Sequence, residues 1–324
     1  MTLNRTRLVA CIVAAAMLPG LAAAQAYPNK PVRLVVPFAP GGTTDLLARV
    51  IAEKMGASLG QTVVVENKAG AGGAIGAAEV GKAAPDGYML LMSSVSTMAA
   101  NPAISPSTPY DPNKDFVHII NVAATPNVIA VHPSFPAKDY KSFTDTLLKN
   151  PGKYSFGTAG NGTVGHLLAE LYKSMAKVYV THIPYRGSGP ALNDVVAGQL
   201  PIIVDNLPSA LPFIKDKRLV PIVVAAPKRL ASLPDVPTFA EVGLEPVNRM
   251  SFLGVSAPKD TPKDVIDKLH AAIKAALADA SVKARIEATG AIVVGNSSDE
   301  YQKQVRDELL IYQRVVLQQK LKLE

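Results

Sequence analysis

The sequence is poor in cysteine, tryptophan, long apolar runs and clustered charge, and each shortage removes a class of function. Its single cysteine, Cys11, sits in a leader-like segment. Arg5 and Arg7 form a basic start, Leu8–Leu18 an apolar stretch too short to span a bilayer, and Ala24-Gln25-Ala26 an A-x-A cleavage site. Leu8-Val9-Ala10-Cys11 superficially resembles a lipoprotein box, but almost no apolar sequence precedes it, so the expected event is cleavage after Ala26, leaving a chain that starts at Tyr27. That chain has no thiol, which excludes disulfides, a cysteine nucleophile and zinc–thiolate sites. No later segment reaches 18 uninterrupted apolar residues, so the expected product is a soluble protein of the periplasm.

Charge is present but dispersed. The formal net charge is +7, of which Arg5 and Arg7 supply two, leaving +5 after the leader. No basic cluster or interleaved aromatic stripe marks a nucleic-acid surface, and none is expected to bind. Catalytic signatures are also missing: there is no G-x-S-x-G elbow, H-E-x-x-H or phosphate-loop lysine motif. None of His118, His132, His166, His182 and His270 stands at metal-ligand spacing from another ligand, so no metal or cofactor is expected. Ser94, His166 and Asp205 make a Ser/His/Asp trio on paper, with nothing in the sequence to join them.

What is present begins with Leu34–Arg49, LVVPFAPGGTTDLLAR. An apolar β-type run breaks at Pro40-Gly41-Gly42 and restarts as an amphipathic helix with Leu47, Val50, Ile51 and Met55 at helical spacing. Thr43, Thr44 and Asp45 are capping residue types. The first N–H groups of a helix have no intrahelical partner and carry the positive end of its dipole, so a strand, a glycine loop and a helix start form an anion seat. The plain alternative is a tight βα turn. The same logic recurs: Tyr154–Gly157 reads as a strand, Thr158-Ala159-Gly160-Asn161-Gly162-Thr163 as a polar glycine loop, and Val164–Met175 as an amphipathic helix. Facing each other, the two loops would clamp one small ligand. Gly70–Gly76 imitates a dinucleotide fingerprint, but Ile75 occupies the third glycine position and the loop follows the second strand, so close helix–sheet packing is the better reading.

Other candidates sit at strand ends. Tyr88–Met92 reads as a strand followed by a polar loop holding Ser94 and Thr97, which serve either as donors or as caps. His166 stands in the first turn of the second helix, Arg186 follows a strand at Val178–Ile183 and offers a carboxylate fork, and Asp205 ends a strand at Leu200–Val204, where it holds a ligand hydroxyl, ammonium or water, or caps the next helix. Further expectations are a helix around Ser142–Lys149 with Ser142 and Asp145 at capping-box spacing, a short helix after Leu233–Thr238, Thr261 as an N-cap before Pro262, and a last helix boxed by Ser297 and Glu300. Crossovers near Thr125-Pro126 and just before Phe252 give the expected organisation: a leader over 1–26, one domain from 27–125 plus 250–324, and a second over 126–249.

Several stretches together resemble one family. They are Tyr27-Pro-x-Lys-Pro-Val-Arg33, Val36-Pro-Phe-Ala-Pro-Gly-Gly42 with Asp45, Glu66–Gly73, Pro85-Asp86-Gly87-Tyr88, Gly157–Thr163 with His166-Leu167, Pro184–Gly187, Asp205–Ala210, Leu233–Thr238 and Ala257-Pro258. The family is that of the tripartite tricarboxylate transporter solute-binding proteins, also called the Bug family. The resemblance spans nearly the whole chain after the leader. It implies the type II periplasmic-binding-protein fold: two α/β domains, two crossovers and a ligand cleft. It further implies a small carboxylate ligand pinched between the loops Phe38–Asp45 and Gly157–Thr163, delivery to membrane permease subunits, and a monomer that performs no chemistry. The expected ligand-binding residues are Phe38, Gly41, Gly42, Thr43, Asp45, Ser94, Thr158, Ala159, Asn161, Gly162, Thr163, His166, Arg186 and Asp205. Phe252, where relatives often carry Trp, and Gly165, often Ser or Pro, depart from the pattern. The alternative is an exported α/β hydrolase or transferase acting on a small acid derivative.

Overall fold

In the computed structural model, residues 27–321 are described; the leader, Cys11 and the cleavage site lie outside them. Two sheets form from apolar runs punctuated by proline and glycine. The first contains β1 (Val32–Val36), β2 (Val63–Asn67), β3 (Met89–Ser94), β4 (Phe116–Thr125), β10 (Ser251–Pro258) and the short β11 (Ile292–Val293), in the order β11-β4-β10-β3-β1-β2. The second contains β5 (Asn127–Val131), β6 (Ser155–Thr158), β7 (Thr181–Pro184), β8 (Ile202–Asn206) and β9 (Val220–Ala225), in the order β7-β6-β8-β5-β9.

The two orders follow one pattern. In each sheet the first strand of the βα series is central between two parallel neighbours: β1 between β2 and β3, β6 between β7 and β8. Each then accepts one antiparallel strand that arrives from the other half, β10 beside β3 and β5 beside β8. The chain passes between sheets at Thr125-Pro126-Asn127 and again before Ser251. The two passages lie side by side: the Asn127 amide donates to the Arg249 carbonyl at 2.8 Å, and Asn206 donates to both Asn127 Oδ1 and Ser251 Oγ.

Near-continuous apolar sequence in the central strands reflects burial on both faces. Leu34 and Val36 point to one side, with Leu47, Ile51 and Met55 of α1 (Thr43–Leu59). Val35 points to the other, with Ala77 and Val80 of α2 (Ala74–Gly81). This is the two-residue alternation of a strand meeting helices above and below. Six helices continue the series: α3 (Asn101–Ile104), α4 (Tyr140–Lys149), α5 (Val164–Ala176), α6 (Ser188–Val196), α7 (Leu207–Lys215) and α8 (Lys263–Ala278). Then α9 (Ala280–Glu287) and α10 (Ser298–Gln319) return to the first sheet, where Leu269 and Ile273 of α8 cover one face and Tyr301 and Val305 of α10 the other.

Some local expectations shift. Helix α4 starts two residues early, because Asp139 is the N-cap and Ser142 its box partner. Thr261 does not cap α8; its hydroxyl closes a turn onto the Pro258 carbonyl, and Pro262 takes the N-cap place. The stretch after Thr238 forms turns held by Glu241, whose carboxylate accepts from the Thr238 N–H at 2.7 Å, instead of a helix. The Ser297–Glu300 box is present.

Gly254 of the returning strand β10 tests this packing. A Cβ there would lie 2.5 Å from the Ile120 carbonyl and 2.5 Å from the Tyr301 ring. Gly254→Ala is expected to lower unfolding free energy by roughly 1–3 kcal/mol, the usual scale for overpacking, measured by chemical denaturation; an unchanged midpoint would contradict the packing.

Candidate ligand-binding site

Four strands, β1, β3, β6 and β8, end at one place between the sheets, where open α/β sheets bind ligands. Of these, β3, β6 and β8 run one or two residues further than their apolar cores suggest, so Ser94, Thr158 and Asp205 are strand residues, each delivered at a carboxyl end.

The first jaw is the turn from β1 into α1. Its conformation is set from behind by Asp45, buried at 4% exposure, which accepts from the Gly41 N–H at 3.1 Å, Arg49 Nε at 3.0 Å and Asn67 Nδ2 at 3.0 Å. Asn67 donates also to the Phe38 carbonyl. Burial works to raise the Asp45 carboxyl, but the Arg49, Gly41 and Asn67 bonds outweigh it and hold it below the ordinary value. Asp45 is therefore fully engaged in shaping the loop. The first intrahelical bond is Leu46 N–H to Gly42 O, so the N–H groups of Thr43 and Thr44 precede the ladder.

The second jaw is the turn from β6 into α5. Thr163 is its N-cap, accepting from the His166 N–H and donating to the Gly160 carbonyl at 2.7 Å. Thr158 Oγ1 accepts from the Gly160 N–H, and His166 Nδ1 from the Gly162 N–H at 3.2 Å. The His166 ring stacks on His182 at 4.1 Å, which stacks on Phe156 at 5.0 Å. His166 is thus a support of the loop and donates nothing to the cleft. Burial, helped by nearby Lys173, lowers it to about 4; burial with the charges of His166 and Lys173 lowers His182 to about 3.

The jaws meet as bare backbone. A Cβ on Gly189 would lie 2.1 Å from the Pro40 carbonyl, and one on Gly72, at φ +61°, would lie 2.1 Å from the Asn161 carbonyl. The Ala39 N–H donates to the Arg186 carbonyl at 3.0 Å, and the Val164 N–H to Ser96 Oγ at 3.0 Å. Thr43 and Ser209 join hydroxyls at 2.8 Å. Between these seams lies a narrow space lined on one side by Phe38, Gly42, Thr43, Thr44, Ser94 and Ser96, and on the other by Ala159, Thr163, Gly165, Ser188, Asp205 and Asn206. The centre of a water-sized sphere can range over only about 20 Å³ there. That is room for roughly one water and for no larger molecule.

Of the expected site residues, Phe38, Gly42, Thr43, Ser94, Ala159, Thr163 and Asp205 line this space. Gly41, Asp45, Thr158, Gly162 and His166 stand behind it as described. Asn161 and Arg186 are exposed beside the seams and contribute carbonyl groups to them. The sequence reading passed over Asn67, Ser96, Ser188, Asn206 and Ser209. Asn67 and Asn206 end strands neighbouring the central ones, and Ser188 opens a helix after Gly187, a signal available but shared by many turns.

Asp205 is buried at 5% exposure. Ser188 Oγ donates to its Oδ1, and Ser209 Oγ to its Oδ2 at 2.6 Å. Burial pushes its carboxyl up, against the Ser188, Ser209 and Asn206 N–H bonds, which favour the ionised form. Ser94 pairs with Thr97, Asp205 with two serines, and His166 with a backbone N–H, so the paper triad is not assembled. The lining contains no Lys, Arg or His. An anion held here therefore rests on N–H groups and hydroxyls.

A sequence profile described as "Tripartite tricarboxylate transporter family receptor" matches residues 47–321. The chain belongs to this family. Protein BugT of Bordetella pertussis is 35% identical over 99% of this chain and 100% of its own. A solved periplasmic transporter is 48% identical, with a TM-score of 0.91 over 92% of this chain and all of that one. MatC from Rhodopseudomonas palustris, solved with bound malate, is 34% identical with a TM-score of 0.87, covering 90% of this chain and all of its own. The two sheets with exchanged strands are thus those of the periplasmic binding proteins of this family.

The receptor's buried histidines predict its acid response. His118, deep in the first half, is lowered by burial to about 4, like His166. Unfolded histidines titrate near 6.5, so the unfolded state takes up protons first as pH falls. Stability from these groups is complete above about 6.5 and is lost as pH falls through about 4. Asp205, shifted upward, acts in the opposite sense, so a variant comparison isolates the histidines. The denaturation midpoint is expected to drop from pH 7.5 to 5, and His166→Gln with His182→Gln is expected to flatten that drop. Equal slopes in parent and variant would refute it.

Proposed function

We propose that this receptor captures a small carboxylate between its two halves in the periplasm and delivers it to the membrane components of a tripartite tricarboxylate-type transporter. The observation that carries the reading is the pair of helix starts, at Thr43–Thr44 and Gly165, beside one small space with no cationic side chain in its lining. N–H groups outside the helical ladder and two dipole ends attract a carboxylate and impose a direction on it. MatC with malate is a family precedent for such a ligand. In this reading residues 27–125 with 250–324 form one closing unit, 126–249 the other, and the paired passages at Asn127 and Ser251 the hinge. The leader is removed after Ala26, and the receptor works as a monomer.

The reading is one of binding without turnover. No hydrogen bond joins Ser94, His166 and Asp205 into a relay, and a nucleophile without a base is inert.

A thermal-shift screen against small mono-, di- and tricarboxylates tests the proposal. An acid at 100 times its Kd is expected to add about 2.7 kcal/mol of stability; no shift with any acid, together with hydrolysis of an ester or amide, would overturn it. Gly189→Val separates closure from folding. Its side chain strikes the Pro40 carbonyl only when the jaws meet, so affinity is expected to fall at least tenfold, by calorimetry, with the ligand-free melting temperature nearly unchanged. Undiminished affinity would show that closure is not part of binding.

A further inference from the structure

The last helix touches both halves. Tyr301, Val305, Leu309 and Tyr312 of α10 are buried and recur every three or four residues, so one stripe of the helix is fixed on the first half, with Phe252 of β10 and Met98 of the turn after β3. A second stripe of the same helix meets the second half. Glu308, Ile311, Val315 and Gln319 stand three, four and four residues apart, the spacing of one helical face. Glu308 accepts from Arg249 Nη2 at 2.7 Å, beside the passage between the sheets. Ile311 and Val315 line a narrow apolar groove with Leu168 and Leu171 of α5. Gln319 Oε1 accepts from Ser174 Oγ, one turn further along α5, at 3.1 Å. The two helices thus pack against each other across the halves.

Helix α5 is also the one whose first turn forms the second jaw. Its Val164 N–H reaches Ser96, and Val164 and Leu167 share one apolar cluster with Met98, Leu309 and Tyr312. The contact with α10 therefore continues from the jaw contact without a break, on the cleft side of the two passages. A rotation about those passages, at Asn127 and Ser251, moves each point in proportion to its distance from them. The Arg249–Glu308 pair adjoins the axis and travels little. Gln319 lies eleven residues beyond Glu308, about 16 Å along the helix. Ile311, Val315 and Gln319 consequently part from α5 when the jaws part. Ile311 and Val315 are half-buried in this contact, and their apolar surface leaves water only when the halves are together.

We propose that Ile311 and Val315 determine affinity from outside the cleft: docked on Leu168 and Leu171, they form a latch that stabilises the closed receptor and tightens its hold on whatever it binds. The inference rests on the closing movement in the reading above. A ligand held only in the closed form has an apparent Kd equal to its closed-form Kd divided by the fraction of receptor able to close on it. Weakening the latch lowers that fraction. It therefore weakens every ligand by the same factor and leaves their order of preference unchanged, which a change inside the cleft would not do.

Val315→Asn tests the latch by placing an unpaired amide in the apolar contact. Leu317→Asn is its control: Leu317 is 77% exposed two residues further on, so it carries the same change of helix residue without meeting α5. Propanoate, butanedioate, hydroxybutanedioate, hexanedioate and citrate, spanning one to three carboxylates, are titrated calorimetrically into the parent and both variants. Every acid that binds the parent is expected to bind Val315→Asn about tenfold more weakly, with the order of the acids kept, and to bind Leu317→Asn as it binds the parent. Should Val315→Asn fail to fold by circular dichroism, Ile311→Ala with Val315→Ala, which only shortens the two side chains, is expected to weaken every acid several-fold. Unchanged affinity in the folded variant would overturn this inference and leave the carboxylate reading standing. So would an equal loss in Leu317→Asn, or a loss confined to some of the acids. Binding of none of the acids to the parent would overturn both.

Discussion

The structure depends on how closely two backbones approach across the cleft. The Gly189–Pro40 and Gly72–Asn161 contacts leave no room for a Cβ on either glycine. With side chains excluded, the helix starts of the two halves come near enough for main-chain groups to face one small space. Most hydrophobic packing lies within one half, on both faces of its sheet, but Val164 and Leu167 of α5 join the cluster that holds Met98, Phe252, Tyr301 and Leu309. Beside this apolar contact, the seams carry hydrogen bonds such as Ala39 to Arg186 and Val164 to Ser96, and the ion pair of Arg249 with Glu308.

Two tiers of residues serve the site. The lining itself is made of glycine, alanine, serine, threonine, three valines, one leucine, one aromatic, one acid and one amide. Behind it stand larger groups that hold shape. Asp45, Arg49 and Asn67 lock the first loop, while Thr158, His166 and His182 lock the second. Side chains that look chemically eloquent in the sequence thus act through the backbone. A fixed backbone needs no rearrangement when an anion arrives, so less free energy is lost to ordering.

That division explains what was legible in the sequence. Both jaws were readable, because strand, glycine turn and helix start leave a local pattern, and the family resemblance covered both halves. The type II fold followed from the same resemblance and agrees with the exchanged strands β5 and β10. Helix boundaries slipped where a competing cap won: Asp139 over Ser142, and the Thr261 turn over Thr261 as N-cap. The inward or outward role of Asp45, His166 and Arg186 was not legible, since it depends on contacts with Asn67, His182 and Ala39, residues 22, 16 and 147 positions away in the chain. Ser188 and Ser209 escaped for the same reason: only the fold brings them to Asp205.

The central claim is that the two halves close on a carboxylate held by the two helix starts. The chain after the leader has no cysteine, so Glu53→Cys on α1 and Lys149→Cys on α4, both exposed and on different halves, give a clean pair for fluorescent labels. Energy transfer between them, recorded while a binding carboxylate is titrated, tests the claim most directly. The account predicts a transfer efficiency that rises to a plateau with the same midpoint as binding. A saturating carboxylate that leaves the efficiency unchanged would contradict it.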